Sequence, residues 1–177
     1  MARIGIQLMM LKDHVEEQGI TPVLHRVRET GFEVVEVSQI PMTEQNVAAM
    51  AAARDSLGIE VAAISAKTSA PAGSEGLTLE NDFDLHVEHA QRLGTSMIRI
   101  GMMPISALRS PETFDAFAAE VDEYAQRLAE HGISLSYHNH HVEFAKIGGE
   151  TLLDHLRRKA PHLRYEIDCH WVQRGGR

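Results

Sequence analysis

The chain has 177 residues, of which 44% are hydrophobic and 24% charged, the composition of an ordinary globular domain. Its formal net charge is −8 without any lysine- and arginine-rich run, which argues against a nucleic-acid partner or an anionic membrane surface. Cys169 is the only cysteine, so an internal disulfide is excluded and a reducing compartment is favoured. Neither a secretory leader nor an apolar run of about 20 residues is present, so we expect a cytoplasmic protein with no membrane partner.

Runs with the pattern of strands alternate with runs that have the pattern of helices. The sequence predicts strands over 3–10, 32–38, 59–65, 96–102, 133–139 and 163–169, with no hairpin between them. It predicts helices from Thr21-Pro22 to Gly31, over 44–57, over 82–93, from Ser110-Pro111 to 130 and over 151–159, and a loop over 66–81. Thr21, Thr43 and Ser110 are the predicted helix caps, and Cys169 is predicted to be a small buried strand residue.

This alternation requires parallel strands joined by crossover helices, as in an open doubly wound sheet or a (β/α)8 barrel. The first strand is not followed by Gly-x-Gly-x-x-Gly, so a dinucleotide-binding sheet has little support. In a barrel, polar residues at the carboxyl ends of the strands meet at one mouth. Six strand ends carry such residues, namely Gln7, Glu36, Lys67, Arg99, His138 and Asp168. We therefore expect an α/β fold, a (β/α)8 TIM barrel with about six βα units present.

The run 133–144 contains the residues best suited to chemistry. His138 and His140 share one face of the predicted strand, about 6.6 Å apart along it, and Glu143 follows in the next turn. Two imidazoles on one face can bind one divalent metal ion, and Asp168 at the end of the last strand adds an oxygen ligand. The alternative interpretation is a polar loop with ordinary solvated histidines.

Three motifs resemble a known family. Tyr-His-Asn-His-x-x-Glu-Phe at 137–144, Glu-Ile-Asp-x-x-Trp at 166–171 and Gly175-Gly176 resemble the xylose isomerase-like TIM-barrel superfamily, in particular its sugar phosphate isomerase/epimerase branch. The segments 32–36 and 64–66 fit the second and third strands of that family, so the resemblance extends over the whole chain.

The resemblance implies a divalent metal ion (Mn, Mg, Co or Zn) at the barrel mouth, with His138 and Asp168 among its ligands. Many epimerases of the family have a catalytic glutamate at the position of His138, so this residue is a departure. His140 and Glu143 are then the candidate acid–base catalysts. Glu36 is a candidate acceptor for sugar hydroxyls, and Trp171 a candidate stacking surface for a sugar ring.

The implied function is a metal-dependent isomerase or epimerase that acts by enolisation on a small sugar, keto-sugar or polyol, phosphorylated or not. A keto-inositol dehydratase is the nearest alternative, because the same enolate can expel a hydroxyl group. An abasic-site endonuclease is disfavoured by the acidic charge balance. The chain stops at Arg177, just past the sixth predicted strand, so we expect an incomplete barrel over 1–177 that lacks strands seven and eight. A catalytically incomplete fragment and a homo-oligomer both stay open.

Overall fold

Strands and helices alternate in the computed structural model, which describes residues 3–70 and 76–177. The strands are β1 (Ile6–Gln7), β2 (Val34–Val37), β3 (Glu60–Ala66), β4 (Met97–Ile100), β5 (Ser134–His138), β6 (Lys146–Ile147), β7 (Glu150–Thr151) and β8 (Arg164–Glu166). The helices are α1 (Lys12–Gln18), α2 (Ile20–Glu29), α3 (Glu44–Leu57), α4 (Leu79–Leu93), α5 (Pro111–Ala129), α6 (Leu152–Lys159) and α7 (Cys169–Arg174). Short 3-10 helices lie at Leu8–Leu11, Ile105–Leu108 and Val142–Phe144.

Six of the strands form one parallel sheet in the order β1-β2-β3-β4-β5-β8, which is also their order along the chain. Each crossover between neighbouring strands contains a helix, which is the connection that parallel strands need. The register pairs His138 of β5 with Glu166 of β8, so these two residues stand side by side at the same end of the sheet. The predicted α/β fold of the TIM-barrel type, with six βα units, is confirmed.

The side chains between the sheet and the helices form one apolar core. The strands contribute alternate positions such as Val35, Ile64, Ile98 and Leu135, which are fully buried, while the outer helices bury one face each. The polar residues of the same strands therefore point to the other side of the sheet, toward the barrel interior. None of the helices in the described part of the chain is both long enough and apolar enough to cross a membrane.

The predicted caps of the third and fifth helices are confirmed. The Thr43 hydroxyl accepts from the Asn46 backbone, and Ser110 and Thr113 form a reciprocal capping box. The predicted cap Thr21 is wrong, because α2 already begins at Ile20. Gly19, at φ +82°, separates α1 from α2, and this conformation is readily available only to glycine.

Other boundaries also differ from the prediction. The first strand is only two residues long, because Leu8 turns into the core within a 3-10 helix and α1 follows directly. Helix α4 begins at Leu79, three residues early, because Thr78 caps it. The predicted loop is shorter for the same reason, and its residues 71–75 lie outside the described residues.

The last third of the chain contains two features that the sequence reading missed. An antiparallel hairpin joins β6 to β7 through Gly148 and Gly149, which both have positive φ, as a tight two-residue hairpin turn requires. Strand β8 ends at Glu166, and the chain then enters α7. Cys169 is consequently the first residue of a helix and exposed, so the prediction of a buried strand cysteine is wrong.

Candidate active site

The carboxyl ends of the parallel strands bring five of the six predicted polar strand-end residues into one row of contacts. The Gln7 side-chain amide donates to Glu36 Oε1 at 2.7 Å, and Arg99 Nε lies 2.6 Å from the same oxygen. Arg99 Nε also faces Glu166 Oε1 at 3.6 Å, and Glu166 contacts His138. Lys67, the sixth predicted residue, is exposed at the end of β3.

His138 is held by one of its two ring nitrogens. Its Nδ1 lies 2.8 Å from Glu166 Oε1, a hydrogen-bond distance. Its Nε2 faces Asp168 Oδ2 at 3.7 Å, which is too long for a direct hydrogen bond. His138 is 8% exposed as a residue, with Nδ1 anchored to Glu166 and Nε2 on the side of Asp168.

Asp168 is fixed by both its side chain and its backbone. Its Oδ1 caps α7 by accepting from the Trp171 backbone at 3.1 Å, which leaves Oδ2 on the side of His138. Asn139, which is fully buried, accepts from the Asp168 backbone N–H at 2.9 Å and donates to the Asp168 carbonyl. This two-point clamp joins the end of β5 to the segment after β8, which sets the separation of His138 and Asp168.

The facing pair of acceptors favours a cation. A carboxylate only accepts hydrogen bonds, so the His138 Nδ1 bonded to Glu166 is the protonated nitrogen, and in the neutral ring Nε2 carries a lone pair. That lone pair and Asp168 Oδ2 then face each other, which is favourable only with a proton or a metal ion between them. A neutral imidazole nitrogen and a carboxylate oxygen are ligands that many divalent metals accept. Across residues 3–70 and 76–177, however, no group of three or more potential ligand side chains has the geometry of a metal site.

Arg99 is the buried cation of the site. It is 3% exposed and donates a hydrogen bond from Nη2 to the Ser38 hydroxyl at 3.0 Å. Its Nε forms an ion pair with Glu36, but the N–H group of Nε does not point at the carboxylate, so this contact is not a hydrogen bond. Its Nη1 is buried and finds no hydrogen-bond partner among the described residues. Glu36, the predicted substrate-binding residue, is therefore engaged with Gln7 and Arg99 while part of its side chain stays open to the mouth.

His140 and Trp171 lie together beside His138. The His140 ring packs 4.9 Å from that of His138 and 5.1 Å from the Trp171 rings, measured between centroids. Burial, and to a lesser extent His138, lowers the pKa of His140, and its Nδ1 has no partner in the described part of the chain. Trp171 also contacts His141 and His170, so it forms an aromatic wall at the rim of the site.

Glu143 is brought close to His140 but faces the interior. It is 0% exposed; Oε1 accepts from the Tyr137 hydroxyl at 2.6 Å and Oε2 from the His140 backbone at 2.7 Å. Burial raises the pKa of Tyr137, which keeps this hydroxyl a donor. Glu143 therefore holds the turn that carries His140, and its predicted role as a catalyst stays a prediction.

The two sequence motifs are also locked together by a close approach at Gly175. A Cβ at this position would lie 2.2 Å from a ring carbon of Phe144. Only glycine lets the end of α7 pack on the aromatic ring that closes the 137–144 motif. The segment with Asp168 and Trp171 is thus supported at both ends, by Asn139 and by Phe144.

Three residues with clear roles in this arrangement were missed as functional: Glu166, Asn139 and Arg99. Glu166 and Asn139 lie inside the two motifs, close in sequence to the predicted ligands Asp168 and His138. This closeness in sequence was the signal that could have identified them as functional. From the sequence, Arg99 is recognisable only as a strand-end residue. What each one contacts depends on the pairing of strands that lie about 30 residues or more apart in sequence.

Comparisons with known proteins agree with this architecture. A family profile described as xylose isomerase-like TIM barrel matches residues 24–176. None of the curated proteins matches the chain.

Solved structures share the fold at low sequence identity. A sugar phosphate isomerase/epimerase from Parabacteroides distasonis superposes with a TM-score of 0.75 at 16% identity, over 99% of this chain and 68% of that one. The probable 3-DHS dehydratase AsbF from Bacillus anthracis gives 0.69 at 14% identity, over 99% and 66%. A xylose isomerase-like TIM barrel protein from Mycobacterium smegmatis, in complex with magnesium, gives 0.60 at 14%, over 94% and 64%. The fold is therefore one found among isomerases, epimerases and dehydratases.

Proposed function

Because the chain belongs to the xylose isomerase-like TIM-barrel family, we propose that it carries the site of a divalent-metal-dependent isomerase or epimerase for small sugars, keto-sugars or polyols. The observation that carries the proposal is the facing pair of potential ligand atoms, His138 Nε2 and Asp168 Oδ2, 3.7 Å apart at the mouth of the barrel. The magnesium complex of a protein with this fold supports a hard divalent ion. We propose His138 and Asp168 as two of its ligands, without choosing between Mn, Mg, Co and Zn.

When bound, such an ion would polarise the carbonyl group of a keto-sugar and favour loss of the adjacent carbon-bound proton. The residues of the chain then have separate tasks. His140, whose ring packs 4.9 Å from that of His138, is the proposed proton carrier, and because its Nδ1 is buried, Nε2 is the nitrogen proposed to handle the proton. Glu143 holds the His140 backbone in place, and its own catalytic participation is the less favoured prediction because both of its oxygens are already engaged.

Two further residues are proposed to bind the substrate. Glu36 presents a carboxylate at the mouth, which can accept from sugar hydroxyls while Arg99 and Gln7 hold it in place. Trp171 offers a half-exposed aromatic face, and the polarised C–H groups of a sugar ring pack well on such a face. The substrate partner proposed is thus a small polyhydroxylated molecule, with no nucleic acid or membrane involved.

Proton abstraction is the step to measure. The chain, loaded with Mn²⁺, Mg²⁺, Co²⁺ or Zn²⁺, is incubated in D₂O with a panel of ketoses and keto-polyols, with and without phosphate groups. Deuterium incorporation next to the carbonyl, followed by NMR, is expected in the wild type. It should be lost in His138→Gln and in Asp168→Asn, and the matched exposed variant His25→Gln should keep it. A metal-loaded chain that exchanges no substrate proton would contradict the proposal.

A dehydratase is the second candidate, because the fold is shared with the probable 3-DHS dehydratase AsbF and the same proton abstraction precedes loss of a hydroxyl group. The two reactions differ in their products. In D₂O an epimerase returns a deuteron to the same carbon, so its product keeps every heavy atom of the substrate, whereas a dehydratase releases one water for each turnover. Mass spectrometry of the same incubations therefore separates them.

A further inference from the structure

We propose that Glu166 is a positioning residue that fixes the tautomer of His138, and that Nε2 is thereby left as the metal-binding nitrogen. The proposal rests on the proposed metal site and adds to it a residue without an assigned role. Glu166 is two residues before Asp168 in sequence, yet it contacts the opposite side of the His138 ring. The imidazole is therefore held between the two carboxylates, one at each nitrogen.

The contacts of His138 define the direction of its proton. Glu166 Oε1 lies 2.8 Å from Nδ1, and an ionised carboxylate has no proton to donate, so Nδ1–H must be the donor. Asp168 Oδ2, at 3.7 Å from Nε2, is too far away to compete for that proton. Glu166 is thus the group that selects the tautomer, and Asp168 is the group that faces Nε2.

Glu166 is itself held in place. The pairing of β5 with β8 sets it directly beside His138, and Arg99 Nε faces the same Oε1 at 3.6 Å. Arg99 cannot move away easily, because it is 3% exposed and is tied to Glu36 and Ser38. Arg99 pairs with this oxygen as a nearby cation without donating a hydrogen bond to it, so the close contact at Oε1 is the one with His138 Nδ1.

A carboxylate behind a metal-binding histidine commonly orients the ring and strengthens the bond to the metal, and its loss typically lowers metal affinity by about 10–100-fold. The chain contains a matched control. Glu150 Oε1 lies 2.9 Å from Nδ1 of His155, the same type of contact at a place away from the barrel mouth. Glu150→Ala therefore removes the same chemical group from a histidine that is not part of the proposed site.

The test combines a spectroscopic and a thermodynamic measurement on the full chain. Long-range ¹⁵N–¹H NMR of the metal-free protein reports which nitrogen of each histidine carries the proton, and His138→Gln identifies the His138 signals. Mn²⁺ titration followed by calorimetry gives the affinity. We expect the Nδ1–H tautomer in the wild type, its loss in Glu166→Ala with a Kd about 10–100-fold weaker, and recovery of most of both in Glu166→Gln, whose amide oxygen still accepts.

The outcomes separate the two proposals. Glu166→Ala with unchanged tautomer and unchanged Mn²⁺ affinity overturns the positioning role, as does an equal loss of affinity in Glu150→Ala, which would indicate a general loss of structure. If the wild type binds no Mn²⁺ while its tautomer depends on Glu166, the metal site fails and the control of the tautomer by Glu166 stands.

Discussion

His138 and His155 have similar surroundings, but they differ in how many of their ring nitrogens are engaged. This difference distinguishes a histidine that can take part in chemistry, His138, from one with a structural role, His155. Each ring lies between two carboxylates and is largely buried. His155 Nε2 is 2.6 Å from Asp115 and its Nδ1 is 2.9 Å from Glu150, so both nitrogens are engaged. His138 has one such contact, to Glu166, and a 3.7 Å gap at its second nitrogen.

The two histidines also differ in what they connect. His155 ties α6 to Asp115 of α5 and to Glu150 of β7, just before the same helix, and Arg158 and Lys159 pair with the same two carboxylates. Each charge there has a partner, so nothing remains to bind a ligand. At His138 the free nitrogen and the free oxygen of Asp168 face the barrel mouth. A neighbouring carboxylate alone therefore does not identify a functional histidine. The distinguishing feature is a ring nitrogen that faces a carboxylate without being hydrogen-bonded to it.

The largest predicted effect is on metal binding, where substitution of His138 and of His155 should have different consequences. His138→Gln should weaken Mn²⁺ binding by on the order of 100-fold or more, since losing a ligand costs at least as much as losing a group behind it. His155→Gln should leave the affinity unchanged. Calorimetric titration of the two variants with Mn²⁺ gives the answer directly. Equal effects, in either direction, would mean that the geometry at Nε2 does not distinguish the two sites.

The sequence was sufficient to predict much of this, and its failures have physical reasons. Alternating β and α patterns, with caps such as Thr43 and Ser110, specify a parallel barrel locally, because each signal lies within a few residues. His138 and Asp168 could be expected to meet, since both follow strands that end at the same mouth.

The orientation of side chains could not be predicted in the same way. Glu143 follows His140 by three residues, but a 3-10 turn directs its carboxylate inward to Tyr137. The contact between Glu166 and His138 depends on the register of β5 against β8, which the local sequence does not contain. Cys169 was misplaced because the strand already ends at Glu166, and Asp168 then caps a helix through its own side chain.

A third histidine extends the comparison to a ring with no partner at all. His86 on α4 is buried, and neither of its nitrogens has a hydrogen-bond partner among the described residues. Burial, with a smaller contribution from His89, lowers the pKa of His86 to about 4. The unfolded chain therefore takes up the proton at a higher pH than the folded one, so stability falls as the pH decreases from about 6.5 to 4.

The predicted loss across this window is roughly 3 kcal/mol of unfolding free energy. His86→Leu should remove most of it, since leucine has no proton to gain, whereas His25→Gln on the surface should not. Urea unfolding at pH 7, 5.5 and 4 measures the difference. A variant with the same pH dependence as the wild type would show that another group causes the loss of stability in acid.

The next smaller effect concerns the structural role of His155. His155→Leu should lower the unfolding free energy by about 1 kcal/mol, or Tm by about 2–4 °C, because Asp115 and Glu150 keep Lys159 and Arg158 as partners. The His155 hydrogen bond, followed by Lys159, lowers the pKa of Asp115, so this contribution is present at neutral pH and lost as the pH falls through the carboxyl range. In thermal melts, the wild type and the variant should therefore differ in Tm at pH 7 and have the same Tm at pH 3. A stability difference that persists at pH 3 would assign the effect to packing against Phe114 instead.

The smallest effect is expected at His162, where a histidine and a carboxylate meet at the surface. Its Nδ1 lies 3.0 Å from Asp122, but the side chain is 56% exposed. Asp122 also accepts from the His162 backbone N–H and from Gln126, so it keeps two partners when the imidazole is removed. His162→Gln should change the unfolding free energy by less than about 0.5 kcal/mol, and 1 M salt should abolish the difference. Urea unfolding with and without salt measures the difference. A larger loss that persists in 1 M salt would show that exposure of the His162 side chain does not weaken its contact with Asp122.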